Sequence, residues 1–501
     1  MTRSSPFKPE ASMTRTTLLP PRLSVLLAFL AACKFPALPD IPLDAADDAA
    51  AADGLSNDDA GTDGAEATDA PVDAFIGATF ARGFGSTSGG EFATRVAVGS
   101  DAVVFAGVAS GSIDLGGGSR AGTSFLAQMN TLGQHVWSKG MNATIRDVAI
   151  DSFGNVYMVG SFGSVLNLGG ATLTPNGMDL LVAKFDNVGS HVWSRGYGGA
   201  GNQEGRRVAV LPNDDVIICG EYTQAANFGG ATLSYSGADD VFVAKVARSD
   251  GAHAWSTGFG GVNNDTCAGL VATSTGEAVA TGSFYTTTTI DGNTHQAPSS
   301  AFDMYAVGIN ATGAISWSQR YGGTGADFID NAFMSPQGDV LVVGNFGEDF
   351  MMGTTLLNNN AGPDGLVARM SPTNGNIVWA KALSGGASEY ATSVSMLGTE
   401  AVVSGWFTGT AAFGTFSLSS TSTSDADIFV ARLRYADGDV TAARRYGGAG
   451  ADGVTADSAV TQSTVVLAGG FQSSSIDFGV GIVTNTSTAG GQDAYLAKVI
   501  P

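Results

Sequence analysis

A tryptophan returns along this chain at a near-constant interval: Trp137, Trp193, Trp255, Trp317 and Trp379, with the last three intervals identical and the first slightly shorter. Each stands at the end of a short apolar stretch. Aligning the flanks extends the series upstream to Phe80 and downstream to Ala442, so one unit occurs seven times. A period this long, with short strand-like runs inside it, points to a propeller or an array of sheets.

Residues 205–261 show the unit most clearly. Arg206 to Val210 reads as a short strand, Asn213-Asp214 as a turn, and Val216 to Tyr222 as a β-branched second strand. Asn227-Phe228-Gly229-Gly230 opens a glycine-rich excursion, and Asp240 to Lys245 is a third strand. Asp250-Gly251 is a hairpin signal, His253-Ala254-Trp255-Ser256 starts a fourth strand, and Gly260-Gly261 closes the unit. The second-strand glycine recurs as Gly107, Gly160, Gly220, Gly282, Gly344, Gly405 and Gly469. An aromatic follows two residues later in every copy except the first, which has Ala109. The third strand opens on Asp179, Asp240, Asp303, Asp364, Asp427 and Asp493, with Thr123 as the exception.

Four strands make one twisted sheet with two faces to bury. Seven such sheets packed face to face around an axis bury both. The expectation is therefore all-β: a seven-bladed β-propeller of four-stranded antiparallel blades, with the recurrent aromatics packing blade on blade. The stretch from Ile76 to Arg82 matches a fourth strand, while the last copy stops after its third, Asp493 to Lys498. The N-terminal strand should thus complete the last blade and close the ring, leaving no open edge.

Residues 23–32, LSVLLAFLAA, form the only long apolar run. It is too short to span a bilayer, which takes about 20 residues. Arg3, Lys8, Arg15 and Arg22 precede it, the pattern of a signal peptide. Met13-Thr14-Arg15 repeats Met1-Thr2-Arg3, and a start at Met13 gives the more usual leader. The run ends Leu30-Ala31-Ala32-Cys33 and resembles the lipobox of bacterial lipoproteins. That resemblance implies cleavage before Cys33 and acylation of its thiol, with several chains giving stable anchoring. Lys34 after the cysteine implies the outer membrane by the sorting rule of enteric bacteria. Residues 34–73 carry eleven acids and one base. Such a segment buries too little apolar surface to fold and reads as an extended, self-repelling tether. The expected organisation is a signal peptide over 1–32, a lipidated cysteine and acidic linker over 33–74, and the propeller over 75–501.

The region from about residue 75 onward resembles the bacterial seven-bladed β-propeller repeat family of secreted and surface lipoproteins. The glycine pairs Gly198-Gly199, Gly322-Gly323 and Gly447-Gly448 carry the resemblance, with the V-x-x-x-G-x-F and D-x-F-V-A-K strands. Copies one and two are shorter, copy four has Gly308 for the basic residue, and copy seven lacks the tryptophan. The repeat speaks to fold, not activity.

Little in the sequence speaks for catalysis. His135, His191 and His253 each precede a repeat tryptophan by two residues and so belong to three different blades. They should be spread around the rim and share no metal. His295 sits in a polar loop with no evident partner. The six strand-opening aspartates are expected to accept backbone N–H groups from the preceding turn. The glycine-rich strings lack the G-K-[ST] and helix of a phosphate loop. No cofactor is implied. Cys219 and Cys267 fall on neighbouring blades. Sheets pack about 10 Å apart and a disulfide wants Cα atoms closer than about 7 Å, so two buried thiols are expected, with a bridge as the alternative.

Lys plus Arg number 24 against 46 Asp plus Glu, a net charge of −22, which argues against nucleic acid. The resulting expectation is an envelope-anchored, non-catalytic binding or scaffolding propeller. Its partners would be the membrane, through a lipid at Cys33, and an envelope protein or glycan met by variable loops such as Tyr285–Ser300 and Glu348–Gly362. The alternative is a glycan-acting hydrolase or lyase, for which a non-repeated cluster of acids at one channel end would speak.

Overall fold

The computed structural model describes residues 79–85, 90–453, 457–461, 463–485 and 491–501. The lipobox residues Leu30, Ala31, Ala32 and Cys33 and the acidic linker lie outside the described residues. Seven four-stranded antiparallel blades begin at Phe92, Thr144, Gln203, Asp265, Phe328, Glu389 and Asp457. They are blades 1 to 7. The first strands of successive blades touch each other all the way round, blade 7 meeting blade 1, so they line the axis and the fourth strands form the rim. Connections from fourth to first strands and from second to third strands share one face, here the glycine-pair face. The short turns share the other.

Burial explains the sequence pattern. Second strands such as Val156–Phe162 and Val216–Tyr222 are buried along their whole length because they are covered on both faces. The core is divided into seven apolar clusters, and each draws on two adjacent blades. No blade therefore has a core of its own.

Phe80–Phe84 pairs antiparallel with Asp493–Val499, Phe80 opposite Lys498, and completes blade 7 as expected. Four tryptophans fasten blades 2 to 5 each to the blade that follows. Indole Nε1 of Trp193, Trp255, Trp317 and Trp379 donates to the carbonyls of Arg248, Ala311, Pro372 and Tyr435, at 3.0, 3.1, 3.1 and 2.9 Å. Each acceptor lies in the turn between third and fourth strands of the following blade. Trp137 is the exception and bonds Gln128 Oε1 within its own blade, at 3.0 Å. At Gly308, where copies two, three, five, six and seven carry a basic residue, Trp317 fills the space: an added Cβ would stand 2.0 Å from its Nε1.

Two expectations are corrected. Cys219 and Cys267 are joined in a disulfide, their Cα atoms 6.2 Å apart. The usual spacing of stacked sheets is a mean, whereas propeller blades converge toward the axis. Cys267 lies on an innermost strand at a bulge before Gly269, and its N–H bonds Glu221 Oε1 of blade 3 at 3.0 Å. His295 is not alone either. Its Nε2 meets Ser318 Oγ at 2.8 Å. This repeats the contacts of His135, His191 and His253 with Ser138, Ser194 and Ser256, at 3.0, 3.0 and 3.1 Å, with the ring supplied by the excursion instead of the fourth strand.

Candidate functional site

The strand-opening aspartates do more than cap turns. Asp179, Asp240, Asp364 and Asp427 accept N–H bonds from Asn176, Ser236, Asn360 and Thr421 at 2.7–3.2 Å. Asp303 departs from this and accepts Arg320 Nε at 2.5 Å. Each aspartate also faces a second residue, at the start of the next blade. The backbone N–H of Gln203, Asp265, Asp327, Glu389 and Asp452 bonds the carbonyl just before Asp179, Asp240, Asp303, Asp364 and Asp427, at 2.6–2.9 Å. The Glu91 N–H bonds the carbonyl before Asp493 in the same way, at 3.3 Å, so six blade junctions bury an acid against an acid or an amide. Burial pushes Asp240 and Asp303 up to about 6 and Asp265 and Asp327 up to about 7. The second series is legible in the sequence, since Gln203, Asp265, Asp327 and Glu389 recur at one constant interval, the same as that of the later tryptophans. The neighbouring glycine pairs mask it.

The junction of blades 1 and 2 breaks this rule on both sides. Thr123 replaces the aspartate, and Ala143 stands at the facing position, after a shortened connection that has no glycine pair. The Ser124 hydroxyl bonds the Ala143 carbonyl at 2.6 Å. A groove of about 240 Å³ opens there, lined by Thr123, Ala143, Thr144, Ser161, Ser164 and Met178 among others. Through Asn142 it continues into a larger depression of about 510 Å³ toward the rim, bordered by Arg120, Lys139 and Asn167. Arg120 is fixed there by the Ser138 and Gly117 carbonyls, each 3.0 Å away. Lys139 Nζ stands 5.0 Å from the centre of the Phe185 ring, and burial lowers its pKa. The two side chains give a cationic border on an acidic domain.

The axis carries a second non-repeated group. Arg206 Nε meets Glu221 Oε2 at 2.5 Å, its Nη2 meets Glu204 Oε2 at 3.2 Å, and Arg146 Nε meets Glu204 Oε1 at 2.7 Å. Arg207 reaches from blade 3 to the Asp330 carbonyl of blade 5 at 2.7 Å, across the lumen. Full burial and the Arg95 charge hold Arg207 down at about 9, against Asp147 and Asp457, which favour its cation. Burial likewise raises Glu221, while Arg206 draws it back. Among the described residues no three His, Cys, Asp or Glu side chains form a group that could hold a metal ion.

No protein-family model matches the chain, and no curated protein matches it in sequence. Seven four-stranded blades, the last completed by Phe80–Phe84, decide the fold. The chain is a seven-bladed β-propeller. The Dos1 propeller is 8% identical, with a TM-score of 0.39, over 83% of this chain and 93% of that one. BamB from Moraxella catarrhalis is 13% identical, with a TM-score of 0.32, over 80% and 95%. The quinohemoprotein alcohol dehydrogenase ADHIIG from Pseudomonas putida HK5 is 11% identical, with a TM-score of 0.40, over 81% and 66%. At these identities the likeness concerns the fold alone.

Proposed function

We propose that this propeller is an envelope-anchored, non-catalytic binding module whose ligand sits in the groove between blades 1 and 2. The carrying observation is the break in the repeat. Both facing acids are missing at one junction, and the space they leave is a polar groove on the glycine-pair face. Its border of Arg120, Lys139, Asn142 and Asn167 suits the hydroxyls and acidic substituents of a glycan. The lipobox reading supplies the anchor at Cys33, the acidic linker the reach, and Lys34 the outer membrane as destination. Membership of the lipoprotein repeat family belongs to the same reading. The excursions expected to vary with ligand are less suited. Thr289 of the blade 4 excursion bonds the Gly260 carbonyl at 3.2 Å, which makes that hairpin a clasp on blade 3.

The test is capture on living cells by the full chain carrying a photo-crosslinker. Ser164→Trp fills the groove from an exposed position and should abolish saturable capture of an envelope glycan without moving the thermal midpoint. Capture unaffected by Ser164→Trp overturns the assignment of the groove.

A second reading has its own observation. Glu204 and Glu221 share Arg206 at the channel mouth and recur in no other blade, an arrangement open to acid–base work on a glycosidic bond. Shortening of envelope glycans by the wild type, and its loss in Glu221→Gln, would favour this reading over the first.

A further inference from the structure

The buried acid pairs pose an electrostatic problem that the junctions solve in different ways. Two carboxylates in contact and away from water cannot both stay charged without a compensating partner. Between blades 2 and 3 the partner of Asp179 is an amide, Gln203, whose Oε1 accepts the Gly199 N–H at 3.0 Å. Between blades 4 and 5, Arg320 neutralises Asp303. Between blades 6 and 7, Arg445 Nη1 meets Asp427 Oδ2 at 2.6 Å. Between blades 1 and 2 both acids are absent.

The junction of blades 5 and 6 uses none of these solutions, and neither does Asp240 with Asp265 between blades 3 and 4. Asp364 and Glu389 are both 0% exposed. Asp364 Oδ2 accepts the Asn360 N–H at 2.8 Å, and the Glu389 N–H bonds the Pro363 carbonyl at 2.9 Å, so the two residues are held face to face. No other side chain donates to Asp364 Oδ1 or to either oxygen of Glu389, the Gly385 N–H is the backbone donor beside them, and the two carboxyl groups lie within hydrogen-bonding reach of each other. The charged group facing them from the blade 5 excursion is Asp349, another acid. The remaining neighbours are neutral: Asn360 from the turn, and Ser384 and Gly385 from the fourth strand of blade 5.

We infer that Asp364 and Glu389 share one proton, that this proton joins blade 5 to blade 6 on the glycine-pair face, and that its loss loosens the junction. Beyond the Gly385 N–H, the shared proton supplies the donor that no side chain provides, as the amide can at Gln203. Burial and the Asp364 charge push Glu389 well above the ordinary carboxyl range, in agreement with the geometry. The buried carboxyl oxygens point to this solution. Gly385 closes the site above them, since an added Cβ would stand 2.6 Å from Glu389 Oε1 and 2.4 Å from the Thr410 carbonyl. Thr410 begins the blade 6 hairpin that pairs with the blade 5 edge, Ser384 opposite Ala412. Deprotonation therefore acts on the clasp between the two blades.

The experiment compares thermal unfolding of the full chain at about pH 6 and about pH 9, wild type against Glu389→Gln. The expected result is a fall of several degrees more in the wild type than in the variant, whose amide cannot lose its proton. Equal falls overturn the inference. Should Glu389→Gln fail to fold, infrared spectra of wild-type protein carrying isotope-labelled glutamate alone read the proton apart from the raised aspartates of the other junctions. A label-sensitive carboxylic-acid band at the lower pH that bleaches at the higher one is expected, and its absence at the lower pH overturns the proposal. Recovery of the wild-type midpoint at about pH 9 on adding calcium chloride would assign the site to a cation and overturn it too.

Discussion

The indole of Trp193 lies so close over Gly251 of the next blade that an added Cβ would stand 2.7 Å from the ring. Gly251 also has φ 73°, a left-handed conformation that costs other residues roughly 1 kcal/mol. The same pairing recurs as Trp255 with Gly313, Trp317 with Gly375 and Trp379 with Gly438, and Phe80 takes the tryptophan's place over Gly133. Gly251→Ala should cost about 2–4 kcal/mol, strain and overpacking together. Gly276→Ala is the control, since Gly276 has φ 85° but nothing within 4 Å of its Cβ position. It should cost only about 1 kcal/mol. Denaturant midpoints of the two variants separate packing from backbone strain.

The disulfide closes a separation of 48 residues and crosses from blade 3 to blade 4. Replacing both Cys219 and Cys267 by alanine should lower stability by about 3–4 kcal/mol on the loop-entropy scale. Both cysteines are buried, so reductant alone should act only on unfolding protein. Unfolded, unreduced protein should show no reactive thiol from this pair. Labelling of either cysteine under those conditions would contradict the bond.

The acid pairs give a pH dependence of definite sign. Asp240 and Asp265, raised by burial from 3.8 to about 6 and about 7, stay protonated in the folded chain at pH values where the unfolded chain has lost those protons. The contribution of these two groups must then fall as pH rises from about 4 to about 7 and level off above, because the folded state binds the more protons in that window. Asp265→Asn keeps an acceptor for the Gly261 N–H and offers Asp240 a permanent donor. It should flatten part of the slope in melts recorded across that range.

Deleting residues 79–84 removes the outer strand of blade 7 and bares the edge of Asp493–Val499. Unpaired edges recruit other chains. The truncated protein should dimerise or aggregate in light-scattering chromatography, and a monodisperse monomer would count against the closure as the source of solubility.

Much of this architecture is legible in the chain. The tryptophan interval locates every fourth strand that carries one, and the mismatch between first and last elements foretells the joining of Phe80–Phe84 to Asp493–Val499. Repetition makes these features visible. The groove is less visible because it depends on what two distant positions lack: Thr123 reads as a lone exception until the fold sets it beside Ala143. Arg207 and Asp330, 123 residues apart, meet only because seven blades curve back on one axis, and no local pattern carries that curvature. The disulfide escapes sequence reasoning for the same reason, since the distance between two blades depends on how far from the axis it is taken.

The strand Phe80–Phe84 has a consequence for how the protein is made. It emerges from the ribosome before the first strand of blade 1, yet Lys498, the residue opposite Phe80, follows all the strands of blades 1 to 6. Through all of that synthesis the first strand waits without a neighbour. Loop closure of this length is slow, and the intermediates expose strand edges. A chain that stops short of its last strand has nothing for the first to grip. The ring therefore closes only on a polypeptide that has been made as far as Asp493–Val499.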